Sequence, residues 1–362
     1  MKIAQISGTV PPSKDGVADN AIKLNKLLVK LGHFSKIYTT ANQKKDDDVC
    51  PFVSDWTFTQ IIKLIFNLKK ENYDLIIFQY PTILYGRKLF VTLIPFLIRL
   101  SGLQTISIIH EYFSYSIIGK IRIFPIPFFS NYLITSDKLN LKELKKIPFV
   151  KRKICQLNLA NNFLDDEVRN VKKTKSFNKE KIRVVYFGLI RENKGLEEFL
   201  DFLKTYNDNV FEFNFIGGVP EKPGNKTIEI LQEIKNNKSI NYLGYLEPEQ
   251  LLERFTEFDL VILPYKDGVT LRRGSMLFAL SYGKPVITTM GKEKINGLVD
   301  ENNIFYLKGL NLSDFNEIFT KIKHNFKTKL EDVGNNGQKW YELNCSDEII
   351  LTKINSILKG EL

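Results

Sequence analysis

The chain is poor in the residues that build metal sites and disulfide frameworks. Its 362 residues include three cysteines and three histidines. Cys50, Cys155 and Cys345 are far apart and odd in number, and no C-x-x-C spacing occurs. A disulfide scaffold is therefore not expected, and neither is a bound metal; free thiols in a reducing compartment are. Long apolar runs are missing too. The longest, Leu89 to Leu100, is broken by Pro95 and Arg99 and is too short to cross a bilayer. Only four residues, Ile3 to Ile6, separate Lys2 from Ser7-Gly8, so Met1 to Ser7 reads as a first strand and not as a signal peptide. Neither a Walker A loop nor a G-x-G-x-x-G dinucleotide fingerprint is present.

Apolar mass is abundant. Hydrophobic residues make up 43% and charged residues 26%, with 27 Phe and 15 Tyr, enough for two cores. The length suggests about two domains. The formal charge of +11 is uneven. Residues 1–170 hold 24 Lys+Arg against 14 Asp+Glu, a net of +10, whereas residues 171–362 hold 28 against 27, a net of +1. A basic first half suits an anionic partner, although a lysine-rich composition without any partner gives the same count. Nucleic acid is not expected, because no recognition motif accompanies the charge.

Apolar strands alternate with amphipathic helices in two series. The first has strands at Lys2–Ile6, Ser35–Thr39, Asp74–Phe78, Thr105–Ile109, Tyr132–Thr135 and Lys153–Leu157, with helices between them. Asn161 to Glu180 is polar and reads as a linker. The second series has strands at Arg183–Phe187, Phe211–Ile216, Ile240–Tyr242, Leu260–Leu263 and Pro285–Thr288, then a helical tail over Asp314–Phe326 and Glu331–Leu358. This predicts two doubly wound α/β domains with parallel sheets, ligands at the carboxyl ends of the strands, and an active site in the cleft between facing domains.

Four loops carry candidate chemistry. Ser7 to Asp19 joins the first strand to a helix; Pro11 and Pro12 stiffen it, and Gly16 permits close backbone approach. It reads equally as a plain connection. His110 and Glu111 follow a strand end, where His110 can orient a hydroxyl or shuttle a proton, or merely cap backbone. In Tyr186 to Gly195, Arg191 and Lys194 stand three apart beside glycines before a helix. They suit a diphosphate, Arg191 as a planar fork and Lys194 as a point charge, unless the turn is simply solvated. In Leu263 to Ser275, Gly274 and Ser275 open a helix next to Arg272 and Arg273, the strongest anion-site candidate.

Taken in order, these loops resemble the retaining GT-B glycosyltransferases of family 4, the glycosyl transferases group 1. The similarity runs through Pro11-Pro12, Gly16-Val17-Ala18-Asp19, Leu31-Gly32-His33, Phe78-Gln79-Tyr80-Pro81 and Ile109-His110-Glu111. It continues through Tyr186 to Gly195, Ile216-Gly217-Gly218, Tyr242 to Leu246, Leu263-Pro264 and Gly283 to Thr288. The resemblance implies an acceptor domain over 1–175, a nucleotide-sugar donor domain over 176–340, and a helix at 341–362 crossing back to the first. It implies catalytic roles for His110, Arg191 and Lys194. Donor contacts would come from Gly16, Gly217, Tyr245, Leu246, Asp267, Gly268, Thr270, Leu271, Arg272, Arg273, Gly274 and Ser275, and acceptor contacts from Asp15, Asp19 and Tyr80. No cofactor beyond the nucleotide-diphosphate sugar is implied, and no metal.

Two departures stand out. The family's Glu-x7-Glu positions hold Thr270 and Phe278, and Asp267 with the arginine pair is the available substitute. The arginine that usually follows the glycine of the third loop is Leu189 here, with Arg191 two residues later. The expected function is retaining transfer of a hexosyl group to a glycan or lipid-linked acceptor in polysaccharide biosynthesis. The expected location is the cytoplasm, at the inner face of the membrane. The segment Ser116 to Phe129, apolar with interspersed cations, either contacts that face or folds into the core. A catalytically degenerate nucleotide-sugar-binding or partner subunit, and a sugar-nucleotide epimerase, are the alternatives.

Overall fold

The computed structural model describes the chain apart from Pro12, Lys14, Asp15, Lys44, Arg87, Arg152, Leu159, Ala160, residues 172–180, Glu221, Glu293, Asn325 and Leu362. The chain forms two compact units, Met1–Asn162 with Asp347–Leu362, and Phe163–Ser346. The domain boundaries expected from sequence lay at 175/176 and 340/341.

The first unit contains β1 (Lys2–Ile6), β2 (Phe34–Thr40), β3 (Val49–Val53), β4 (Leu75–Tyr80), β5 (Gln104–Ile109), β6 (Tyr132–Thr135) and β7 (Ile154–Gln156). They form one sheet in the order β3-β2-β1-β4-β5-β6-β7, every neighbouring pair parallel. The chain winds one way from β1 to β3 and the other way from β4 to β7, so the order reverses between β1 and β4. Every residue of β4 is buried, as an inner parallel strand covered on both faces requires. The core on one side gathers Trp56, Phe78 and Tyr85, with Trp56 and Tyr85 rings edge-on at 4.6 Å.

The second unit repeats the plan with β8 (Ile182–Phe187), β9 (Phe211–Ile216), β10 (Ile240–Gly244), β11 (Leu260–Leu263), β12 (Val286–Thr289) and β13 (Phe305–Leu307). Their order is β10-β9-β8-β11-β12-β13, again all parallel. Here the reversal falls between β8 and β11. Phenylalanines fill the core; Phe199, Phe202, Phe315 and Phe319 pack with ring centres 5.2 to 6.4 Å apart.

Several elements differ from expectation. β3 and β13 are short strands that apolar patterning did not single out. The expected linker begins with a helix, Asp165–Asn170, whose first turn holds Asp165, Asp166 and Glu167 at the positive helix end. Asp165 belongs to the second unit and accepts a hydrogen bond from Tyr341 at 2.9 Å. The expected helical stretch Glu331–Leu358 is divided in two. Phe326–Cys345 ends before Ser346, and Asp347–Leu358 starts anew.

That last helix joins the first unit through a buried charge pair. Lys23, on the helix Gly16–Lys30, meets Asp347 with Nζ to Oδ1 at 2.9 Å, their side chains 0% and 5% exposed. Removing one partner leaves a charge stranded away from water. Asp347→Ala should destabilise the first unit by about 3–5 kcal/mol, read by hydrogen exchange of the Gly16–Lys30 helix under urea. Lys23→Met with Asp347→Leu should recover most of that loss; equal damage in both would show that packing, and not charge, holds the helix.

Candidate active site

In doubly wound sheets, ligands bind at the carboxyl ends of the strands where the order reverses. In the second unit that point is flanked by the loops after β8 and β11. The backbone there is pressed close. A Cβ on Gly195 would fall 1.7 Å from the Pro264 carbonyl oxygen, and one on Gly217 would fall 1.9 Å from that of Gly188. Gly195 also sits at φ +68°. Only glycine fits at both positions, and the loops nest as a result.

The nesting gathers positive side chains. Tyr265, just past β11, is 2% exposed. Lys194 Nζ lies 4.8 Å and Arg273 Cζ 4.3 Å from its ring centre. Asp267 pairs with Arg273, Nη2 to Oδ2 at 2.6 Å. Half-buried Lys194 and exposed Arg191 form no hydrogen bond or ion pair among the described residues. Burial, then the charges of Arg273 and Arg191, pull the Lys194 ammonium down to about 7, with Asp267 acting in the opposite direction. Burial pushes the Tyr265 phenol up to about 12, against the opposing charge of Arg273 and the neighbouring Ser275. Ser275 also reaches within 3.1 Å of where a Gly188 Cβ would stand.

The helix Gly274–Ser281 begins beside this cluster, and its first intrahelical bond runs from Met276 N to the Arg273 carbonyl at 3.1 Å. The amides of Gly274 and Ser275 precede that bond at the positive helix end. Thr270, Leu271 and Arg272 lead into the helix, and Gly268 takes φ +76° where a Cβ would meet Gly291. Gly217 donates to the Gly244 carbonyl at 2.8 Å, so the loop carrying Tyr245 and Leu246 leaves the same edge of the sheet. Tyr245 is 51% exposed.

Phe278, at one of the two family glutamate positions, is buried, with its ring 4.7 Å from Phe255 and 5.3 Å from Phe187. Asp267, the suggested substitute, is occupied by Arg273.

In the first unit, His110 follows β5 beside Tyr80, whose carbonyl accepts its amide at 2.9 Å. The ring enters a buried chain of amides. His110 Nε2 meets Gln79 Oε1 at 2.8 Å, Gln79 Nε2 reaches Gln5 Oε1 at 3.3 Å, and Gln5 Nε2 reaches Asn25 Oδ1 at 3.2 Å and the Ala21 carbonyl at 3.3 Å. A carbonyl only accepts, so Gln5 donates there and the direction of the whole chain follows. Gln79 then offers an acceptor, which places the hydrogen on Nε2 of His110. Gln5 and Gln79 were not singled out for this role. The available signal was a polar glutamine inside each of two otherwise apolar strands. Asp19 accepts from Asn162 Nδ2 at 2.8 Å. Gly16 opens its helix with nothing within 4 Å of a would-be Cβ, and burial raises the Tyr80 phenol against the opposing charge of Arg122. Asp15 lies outside the described residues.

Residues 167–340 match the family model for glycosyl transferases group 1. The group 1 segment contains Arg191, Lys194, Tyr265, Asp267 and Arg273. A curated relative, the GDP-mannose:glycolipid 4-beta-D-mannosyltransferase of Xanthomonas campestris pv. campestris, is 31% identical over 105 residues, 29% of this chain and 29% of the relative. The match thus spans less than a third of that enzyme's length. Over the whole fold, HepE of Anabaena, crystallised with UDP and glucose, is similar at TM-score 0.77 and 12% identity, covering 99% of this chain and 100% of that one. Sucrose-phosphate synthase of Thermosynechococcus elongatus is similar at TM-score 0.71 and 14% identity, covering 99% and 98%. At such identities the likeness establishes the GT-B fold and nothing further.

The amide chain predicts that neutral His110 carries its proton on Nε2. With three histidines in the chain, nitrogen NMR can resolve the tautomer of each. Gln79→Leu should leave His110 as a mixture of tautomers; an unchanged spectrum would rule out control by Gln79.

Proposed function

We propose that the chain transfers a hexosyl group from a nucleoside-diphosphate sugar to a glycan or lipid-linked acceptor. The observation that carries this reading is the cluster of Arg191, Lys194 and Arg273 at the β8/β11 reversal, where only Arg273 has a carboxylate partner among the described residues. A departing diphosphate gains charge as its bond to the sugar breaks, and fixed cations favour that state over the starting one. The family match over this segment, the UDP complex of HepE and the GDP-mannose donor of the curated relative support the same donor class. The cations neutralise the diphosphate without a metal. His110 contacts the donor sugar, and Asp15, Asp19 and Tyr80 serve the acceptor. A membrane's inner face supplies that acceptor if it is lipid-linked.

Retention is the stereochemical reading. The sugar C1–oxygen bond to phosphate breaks, the acceptor oxygen bonds C1 on the same face, and the acceptor proton passes to the leaving phosphate oxygen. A second reading, inversion, has one observation behind it: the curated relative is named for a β linkage. Proton NMR of the product decides: an anomeric configuration opposite to the donor's overturns retention and leaves the donor site standing. Binding with neither transfer nor hydrolysis would favour the degenerate subunit.

Arg191→Ala and Lys194→Met should each weaken UDP-glucose or GDP-mannose binding about tenfold to a hundredfold and cut transfer by about 10²–10³. Unchanged turnover would remove them from the site. The pH effect has a definite sign. Empty, Lys194 is largely neutral above about 7; a bound diphosphate restores its proton. Calorimetry near pH 8 in buffers of different ionisation heat should therefore show proton uptake on binding, absent in Lys194→Met.

A further inference from the structure

Beyond the β5 end of the first unit, the helix Ile117–Ile123 turns three isoleucines into solvent. Ile117, Ile118 and Ile121 are 79%, 79% and 68% exposed, whereas Ile123 is buried. At 100° per residue the three share one arc, with Lys120 on one flank and Arg122 on the other. The ridge continues into the next turn, Pro125–Phe129. There Phe124, Phe128 and Phe149, all more than a third exposed, touch one another with ring centres 5.1 to 5.9 Å apart. Lys153 Nζ stands 5.6 Å over the Phe149 ring.

Arg122 differs from its neighbours. Lys120 and Lys146 both pair with Glu143. Arg122 has no ion pair among the described residues, and its buried Nε has no hydrogen-bond partner. Its charge acts on the phenols of Tyr80 and Tyr115, which bring no negative charge at neutral pH. A half-buried guanidinium next to hydroxyls, at the edge of an apolar ridge, lacks the anion that such a group ordinarily holds.

We propose that this ridge docks the first unit onto an anionic lipid surface, with the isoleucines and phenylalanines entering the acyl boundary and Arg122 receiving a headgroup phosphate. Charge selects this occupant. The ridge belongs to the half of the chain with a net of +10, and the isoleucine arc bears no acidic side chain. A bulky apolar face flanked by cations partitions to such a surface through both terms together. The inference deepens the reading of a lipid-linked acceptor, but docking does not require that any sugar be transferred.

Sedimentation of the full chain with phosphatidylcholine vesicles, with and without phosphatidylglycerol, tests it. The chain should bind the vesicles containing phosphatidylglycerol and be released by high salt. Ile117→Glu with Ile118→Glu should lower binding at least about tenfold. Arg122→Gln should lower it about fivefold, and only for the anionic vesicles. Thermal midpoints and UDP or GDP binding equal to the parent's would show that both units of the variants remain folded. Absence of binding to either vesicle, or undiminished binding by the double glutamate variant, overturns the proposal. A parental dimer that the glutamates dissociate would assign the ridge to a second copy and also overturn it. Failure of sugar transfer with vesicle binding intact would count only against the enzymatic reading.

Discussion

Three positive side chains converge on the ends of β8 and β11, and the second unit has to hold them against their mutual repulsion. It does so with few negative groups. The ring of Tyr265 offers its electron-rich face to Lys194 and Arg273, and Asp267 neutralises only Arg273. What remains is relieved by Lys194 giving up its proton near neutrality. Such a site favours whatever brings two negative charges, because the ligand ends the repulsion as well as meeting each cation. The glycine contacts at Gly195 and Gly217 are what let the loops come this close.

The two units share a topology and use the same place in it differently. At the β1/β4 reversal, the first unit holds uncharged amides. Gln5 lies on β1, Gln79 on β4, and His110 just past β5, in hydrogen-bonded sequence. That arrangement fixes orientation without fixing charge. At the β8/β11 reversal, the second unit concentrates charge and leaves orientation to glycine-shaped backbone. At equivalent points of the topology, the first unit is thus polar and directional and the second cationic.

Much of this was legible in the sequence. Runs such as Leu75–Phe78 and Leu260–Leu263 are apolar throughout because both sheet faces are covered, so patterning alone finds them. Of the edge strands, β3 is interrupted by Pro51 and β13 is only three residues long, so neither stands out as a strand from patterning. Arg191, Lys194 and Gly274 could be marked from their spacing beside glycines. Tyr265 could not, because its part is to lie under two cations contributed by different loops, and only the fold brings those together. Phe278 shows the opposite limit. The resemblance implied a carboxylate there, whereas Phe278 is buried among aromatic rings. The break at Ser346 has no proline or glycine to mark it, so Glu331–Leu358 read as one helical stretch.

The pairing of Lys23 with Asp347 makes the second unit, in chain order, an insertion within the first. During synthesis, the β-sheet of the first unit is complete long before its final helix leaves the ribosome. Until residue 347 emerges, the ammonium of Lys23 has no Asp347 carboxylate to meet, and the surface that will bury it stays open. The second unit, continuous from Phe163 to Ser346, can close first. The part of the first unit that is translated earliest thus waits for the segment after residue 346 before its buried charge pair can close.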